Sequence, residues 1–322
     1  MICLLSRRAL GLAAAAALAV GFGAGEARAE QTLRIGYQKY GTLLLLKGKG
    51  TLEARLKEQG VAVKWAEFPA GPQLLEALNA GAIDFGTAGE APPIFAQVAS
   101  AKLAYVAHEP PAPKGEAILV PKTSTIQSVA ELKGKKVAFN KGSNVHYLLV
   151  RALEKAGVAY SEITPIFLPP SDARAAFERG SVDAWAIWDP FLAAAEAATG
   201  ARALANGEGI VSNHQFFLAS RPYAEANKAI LNTLLDELRK VEEWAQKDAA
   251  AAAAELAPSV GIPAPILEVA LKRQAFGVRP ISPDVAAAQQ RIADVFLELK
   301  LLPKPIVITD AVLSLETAEA AQ

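Results

Sequence analysis

The sequence is almost without sulfur: Cys3 is its only cysteine and Met1 its only methionine. A chain cut after Ala29 keeps neither, which excludes disulfides, a thiol nucleophile, thiolate metal sites and a lipid-modified cysteine. Histidine is scarce as well, with His108, His146 and His214 far apart in the chain. No GxSxG, HExxH, GxGxxG or phosphate-loop pattern accompanies them, so hydrolase, metalloprotease and nucleotide-binding readings lack their parts. No catalytic residue, metal ligand or cofactor is expected. A surplus of one charge is missing too, since Lys and Arg number 33 and Asp and Glu 33. Nucleic-acid binding, which needs a basic surplus or stripe, is thereby set aside. Past the N-terminus no apolar run approaches the ~20 residues of a membrane span.

The N-terminus has the layout of a secretory signal. Arg7 and Arg8 precede an Ala-rich run from Ala9 to Ala24, and Ala27, Arg28 and Ala29 form a small-x-small cleavage site. Residues 1–29 read as the signal and Glu30 as the first mature residue. Ser6 to Leu10 also resembles a twin-arginine signal, although Gly11 stands at the second bulky apolar position, so both export routes stay open. Removal of the signal leaves 30 basic and 32 acidic residues, a net charge of −2. Hydrophobic residues make up 52% of the chain and charged ones 20%, enough for a large core. At ~150 residues per domain the length suggests two domains.

Short apolar runs alternate with amphipathic stretches. LRIGY, VAVKWAEF, AIDFG and LAYVAHE read as strands separated by helices, the pattern of parallel α/β sheets. The series starts again at EAILV and runs through KKVAFN, EITPIFLP and SVDAWAIW. A shift of 99 positions lays Phe68 on Phe167, Leu78 on Phe177, Gly81 on Gly180, Asp84 on Asp183 and Glu90 on Asp189. A shift of 102 pairs Gln38 and Lys39 with Asn140 and Lys141. Two matching α/β lobes are expected. After Ser220 the chain reads as helical: one helix from Arg221 through Trp244, breakers at Pro258, Gly261, Pro263 and Pro265, and a last helix from Pro283 to Leu299. The Pro-rich HEPPAPKGE crosses between lobes, and a return is expected near Ser212 to Phe217. The division is then 30–115 for the first part of lobe 1, 116–211 for lobe 2, and 212–322 for the rest of lobe 1. Two crossings make a hinge.

Ligands of open α/β sheets sit beyond the carboxyl ends of the strands. That rule selects Gln38 to Thr42, Gly86 to Pro92, Asn140 to Asn144 and Trp185 to Pro190. Each loop precedes a helix whose first N–H groups lack intrahelical partners and attract anions. Gly142 permits close backbone approach, while Ser143 and Asn144 offer donors or simple capping. Gly86, Thr87, Ala88, Gly89 and Glu90 have the same form. Asp189 before Pro190 suits a helix N-cap and also the reception of an ammonium group. Trp185 and Trp188 have opposite strand parity, so one is core and the other borders the cleft. His146 either touches the ligand or closes the cleft edge.

With these loops identified, the sequence resembles the periplasmic binding proteins of ABC importers for aliphatic sulfonates. LRIGYQK at 33–39, EFPAGPQLLEALNAGAID at 67–84, PPIFAQ at 92–97, EPPAPK at 109–114, DARAAF at 172–177, DAWAIWDP at 183–190, RPYAE at 221–225 and GIPAP at 261–265 carry the resemblance. Taurine and nitrate relatives share only parts of these stretches. The resemblance implies a two-lobed type II periplasmic binding protein fold, doubly wound lobes around a cleft, a periplasmic location and a membrane permease as partner. It also implies a monomer that captures an alkanesulfonate for sulfur acquisition. The family positions carried over are Gln38, Gly89 with Glu90, Gly142 with Ser143 and His146, and Trp188 with Asp189. Glu90 stands where relatives carry Asp, and Asn144 with Val145 replaces a small-hydroxyl pair. Taurine, a sulfate ester or an aromatic sulfonate remains an alternative ligand. A more distant alternative is the thiamine-pyrimidine synthases of the same superfold, which donate a histidine of their own and are intracellular and His-rich.

Overall fold

The computed structural model describes residues 31–100 and 102–315; the export signal read over residues 1–29 lies outside them. The described strands form two five-stranded sheets. The first orders β2 (Val61–Glu67), β1 (Gln31–Tyr37), β3 (Phe85–Gly89), β10 (Gln215–Ser220) and β4 (Leu103–His108). The second orders β7 (Thr164–Phe167), β6 (Lys136–Phe139), β8 (Ala184–Trp188), β5 (Glu116–Val120) and β9 (Arg202–Asn206).

The two orders correspond strand for strand, and the repeat read from the sequence is present in the hydrogen bonds. Asp84 Oδ2 accepts from the Arg34 backbone N–H at 2.9 Å, and Asp183 Oδ2 accepts from Lys136 N–H at 2.7 Å. Each aspartate thus ties the start of the central strand of its sheet, β3 or β8, to the neighbouring strand, β1 or β6. Gly81 and Gly180 both adopt positive φ, 73° and 70°, in the turn just before. One expectation fails: neither sheet is wholly parallel. β10 runs antiparallel to β3 and β4, and β5 to β8 and β9. These are the strands that arrive directly from the other lobe, with no crossover helix to force them parallel.

Both faces of each sheet are covered, which is why the strands read as nearly continuous apolar runs. On the first sheet, α1 (Gly41–Lys49), α2 (Thr51–Lys57), α8 (Arg221–Ala226) and α9 (Lys228–Lys247) pack on one face. The other face carries α3 (Gly71–Asn79), α4 (Pro92–Ala99) and α12 (Pro283–Glu298). On the second sheet, α5 (Asn144–Lys155) lies on one face, with α6 (Pro170–Glu178) and α7 (Phe191–Thr199) on the other. The register partners Gly36 and Gly86 let α3 lie close. A Cβ there would stand 2.5 Å from Ile83 Cδ1 or 2.6 Å from Leu74 Cδ2.

The helical tail departs from expectation twice. The helix expected from Arg221 to Trp244 is interrupted at Asn227, whose side chain accepts from Gln31 and donates to Tyr223 O at 2.9 Å. Asparagine competes with the helix for backbone partners in this way. Pro258 does not break α10 (Ala249–Val260); the stop is Gly261, in the left-handed region. After a bend of 117° follows α11 (Ala264–Arg273). α10 packs on α1 and α9 of the first lobe, and α11 packs on α7 of the second. Among the described residues no single helix is long and apolar enough to cross a membrane.

The crossings follow β4 and β9 and run side by side. Ala112 N–H donates to Ser212 O at 3.1 Å, Gly207 N–H to Pro113 O at 2.8 Å, and Asn213 Nδ2 to Ala112 O at 2.9 Å. The return lies slightly earlier than Ser212 to Phe217, since β10 begins at Gln215.

Candidate ligand-binding cleft

The carboxyl ends of β1, β3, β6 and β8 converge on a cleft between the lobes. The cleft has about 800 Å³ of empty volume. Six of the ten residues expected at a site line it: Gln38, Gly89, Ser143, Asn144, Trp188 and Asp189.

Gly89 and Asn144 meet across the cleft. A Cβ on Gly89 would fall 1.9 Å from Asn144 Nδ2, so only glycine leaves room for the amide. That amide then donates to Asn213 Oδ1 at 2.6 Å and accepts from Ala91 N–H at 3.5 Å. Asn144 thereby joins the start of α5 to the first lobe and to the return crossing. Ser143 is the N-cap of α5, and its hydroxyl donates to Asn140 O at 2.7 Å. Gln38 Nε2 donates to Thr87 O at 3.1 Å.

The other four expected residues stand behind the wall. The Thr87 hydroxyl donates to Phe216 O at 3.0 Å, which holds it inside the first sheet. Glu90 faces the return crossing: its Oε2 accepts from His214 N–H at 3.1 Å. Burial pushes its carboxyl up to about 7, against the opposing effect of the His214 and Asn213 N–H groups. Gly142 has φ 76° and donates its N–H to His146 Nδ1 at 3.2 Å. His146 Nε2 lies 3.1 Å from the Tyr160 hydroxyl, and its ring stacks 4.9 Å from Phe139. Burial, with Lys141 adding to it, lowers its pKa to about 4, so the imidazole is neutral at ordinary pH. His146 braces the loop before α5 from behind.

Trp188 ends β8 and Asp189 follows it. The parity expectation resolves with Trp185 fully buried and Trp188 on the cleft wall. The N-cap of α7 (Phe191–Thr199) is Pro190 and not the expected Asp189, which stands one position earlier; from there Asp189 Oδ1 accepts from Ala193 N–H at 3.0 Å and lies 3.5 Å from Arg273 Nη1. Burial pushes the Asp189 carboxyl up to about 6, while Arg273 pulls it down.

The helix starts are not equal as donors. α4 opens with Pro92 and Pro93, which have no N–H to offer. The start of α1, with Gly41 on the wall, faces the start of α5 instead. Sequence reasoning missed Tyr40, although it lies inside a selected loop; its hydroxyl accepts from Gln215 Nε2 at 2.9 Å. Asn213 and Gln274 were missed too, and so was an apolar wall of Leu256, Val260, Leu267 and Leu271 from α10 and α11. An apolar helix face that lines a cavity has the same period as one that lines a core, so nothing in the sequence marks it.

Charged groups on the wall are Lys39, which pairs with Glu67 at 3.6 Å, and Asp189. The remaining polar groups are neutral amides and hydroxyls. No cluster of three or more His, Cys, Asp or Glu suited to a metal occurs among the described residues. The cleft therefore combines neutral polar groups with hydrocarbon in one wall, an arrangement for holding an amphiphilic solute.

Comparison with known proteins agrees with this geometry. The family described as NMT1/THI5 like matches residues 56–252. The alkanesulfonate-binding protein of Xanthomonas axonopodis pv. citri, solved bound to MOPS, is 47% identical with a TM-score of 0.84, over 88% of this chain and 98% of that one. The periplasmic aliphatic sulphonate-binding protein of Escherichia coli is 46% identical with a TM-score of 0.81, over 91% and 95%. The taurine-binding periplasmic protein of Escherichia coli (strain K12) is 30% identical over 140 residues, 44% of this chain and 43% of that one. The chain belongs to the NMT1/THI5-like family and, within it, to the periplasmic aliphatic sulfonate-binding proteins.

Proposed function

We propose that this protein is the solute-binding component of an ABC importer, capturing an aliphatic sulfonate in the periplasm and delivering it to a membrane permease. The observation that carries this reading is the mixed wall of the cleft, to which the starts of α1 and α5 from opposite lobes and the apolar faces of α10 and α11 all contribute. Its close relatives are binding proteins, and it works as one: a monomer without metal, cofactor or nucleic acid. Residues 1–29 form the export signal, cleaved after Ala29, with the twin-arginine route as one path. The division into 30–115, 116–211 and 212–322 fits the strand order, in which β5 to β9 build one sheet and all other strands the second.

A sulfonate is ionised at every ordinary pH and offers three acceptor oxygens. Hydrogen bonds to a charged group contribute roughly 1.5–3 kcal/mol each, and a helix start adds about 0.3–1 kcal/mol. Three or four such contacts, less the cost of ordering two lobes, reach the ~8 kcal/mol of micromolar binding. Gln38, Ser143 and Asn144 serve as donors, with Trp188 against the tail and Asp189 beside it. Gly89 gives the room, and Thr87, Glu90, Gly142 and His146 hold the donor loops. The Ser143 hydroxyl exchanges its bond to Asn140 for one to a sulfonate oxygen. Calorimetric titration of the chain from Glu30 with ethanesulfonate, 2-aminoethanesulfonate and sulfate tests this. Ser143→Ala weakens ethanesulfonate by about tenfold to a hundredfold, with little change in ligand-free stability. A preference for sulfate would overturn the reading, and an unchanged affinity in Ser143→Ala would remove Ser143 from it.

A further inference from the structure

A cavity that takes an anion is not expected to keep a carboxylate in its wall, yet Asp189 lies there. The Asp189 side chain is 10% exposed and accepts the Ala193 N–H in the first turn of α7, so it has a structural role beside any ligand. Left alone, its charge would repel a sulfonate in the same sheltered space. The compensating cation is Arg273, the last residue of α11. Arg273 Nη1 lies 3.5 Å from Asp189 Oδ1, and Nη2 lies 2.7 Å from Glu196 Oε2 on α7. Its side chain is 24% exposed, so solvent screens this set only in part. α11 is joined through α10 to the first lobe, and α7 belongs to the second. The cation that balances the wall of lobe 2 is therefore delivered by a helix from outside that lobe.

We propose that Arg273 is a positioning residue that sets ligand specificity: by pairing with Asp189 it lets the cleft accept a sulfonate of net negative charge, and without it the same wall prefers a zwitterion. A ligand carrying an ammonium group near its sulfonate supplies its own cation to Asp189 and depends less on Arg273. This rests on the sulfonate reading above.

Two probes with the same two-carbon chain, differing by one ammonium group, separate the possibilities: ethanesulfonate and 2-aminoethanesulfonate, titrated by calorimetry into the mature chain and its variants. Arg273→Gln weakens ethanesulfonate by at least about tenfold, the scale of one charged contact, and 2-aminoethanesulfonate by under about threefold on the same scale. Asp189→Asn keeps a capping oxygen for α7 and moves the ratio the opposite way, favouring ethanesulfonate. Asp189→Asn placed on Arg273→Gln recovers most of the lost ethanesulfonate affinity. Glu196→Gln also loosens α11 from α7 but leaves the Asp189 pair, and it keeps the natural ratio. Equal weakening of both probes in Arg273→Gln, or no recovery in the double variant, overturns the assignment. If Arg273→Gln does not fold, Asp189→Asn alone decides by the direction of its ratio. Failure of the natural chain to bind either probe would overturn the sulfonate reading itself, whereas binding with an unmoved ratio overturns only the role of Arg273.

Discussion

The two lobes agree where the backbone must be held and differ where the ligand must be met. Asp84 and Asp183 do the same work at the same place, each receiving the N–H of the neighbouring strand, β1 or β6. Five and six positions later the correspondence ends. Gly89 gives way to Asn144 of the opposite lobe, while its counterpart Trp188 stands in the wall as bulk. Glu90 turns to the return crossing and finds backbone N–H groups, whereas its counterpart Asp189 accepts from Ala193 N–H of α7 and faces Arg273. A scaffold task repeats because both sheets pose the same geometric problem. A site task cannot repeat, because two lobes closing on one asymmetric solute need complementary surfaces.

The largest test of this difference concerns Glu90. Its folded pKa of about 7 stands above the ordinary 4.5, so between these values the folded chain binds more protons than the unfolded one. Stability supplied by the protonated form is complete below pH ~4.5 and is lost as pH rises through ~7, about 3 kcal/mol at 1.36 kcal/mol per pKa unit. Glu90→Gln is expected to flatten the stability profile over that window, as read by urea denaturation from pH 4.5 to 8. Asp189→Asn acts in the same sense over the lower window from 3.8 to about 6. An unchanged slope in Glu90→Gln would mean that the two carboxylates do not differ as described.

Next comes the shared pair. Asp84 also binds the Arg34 guanidinium, with Oδ1 at 2.6 Å from Nη2, whereas Asp183 pairs with the backbone of Lys136. Asp84→Ala is expected to cost about 2–3 kcal/mol and Asp183→Ala about 1 kcal/mol, measured by thermal and denaturant unfolding. Equal losses would show that the arginine contributes nothing. An effect on affinity of the same small order is that of Gly89→Ala, where the added methyl displaces the Asn144 amide and its bond to Asn213. An affinity loss of about tenfold, or ~1.4 kcal/mol, is expected by calorimetry, with little change in unfolding. A larger fall in stability than in affinity would make Gly89 a scaffold residue like Asp84.

Much of this molecule was legible before any coordinates. The alternation of apolar runs gave the strands and helices, the 99-residue shift gave the second lobe, and the Pro-rich 109–114 gave the crossing. The strand-end rule chose four loops, and each of them reaches the cleft through at least one residue. Within those loops it chose less well, because a loop's sequence does not say which way its side chains turn. Glu90 and His146 have the chemistry of ligand contacts, and packing against the crossing and against Phe139 turns them elsewhere.

The sequence by itself determined the local elements, the repeat and the glycines of the turns, since these follow from spacing along the chain and from backbone conformations that few residues adopt. Tertiary structure alone decided the antiparallel strand of each sheet, the apolar wall of α10 and α11, and the meeting of Arg273 with Asp189. The physical reason is common to all three. A hydrophobic period states that a face is apolar, and a charge states that it needs a partner, but neither names the distant segment that will supply it.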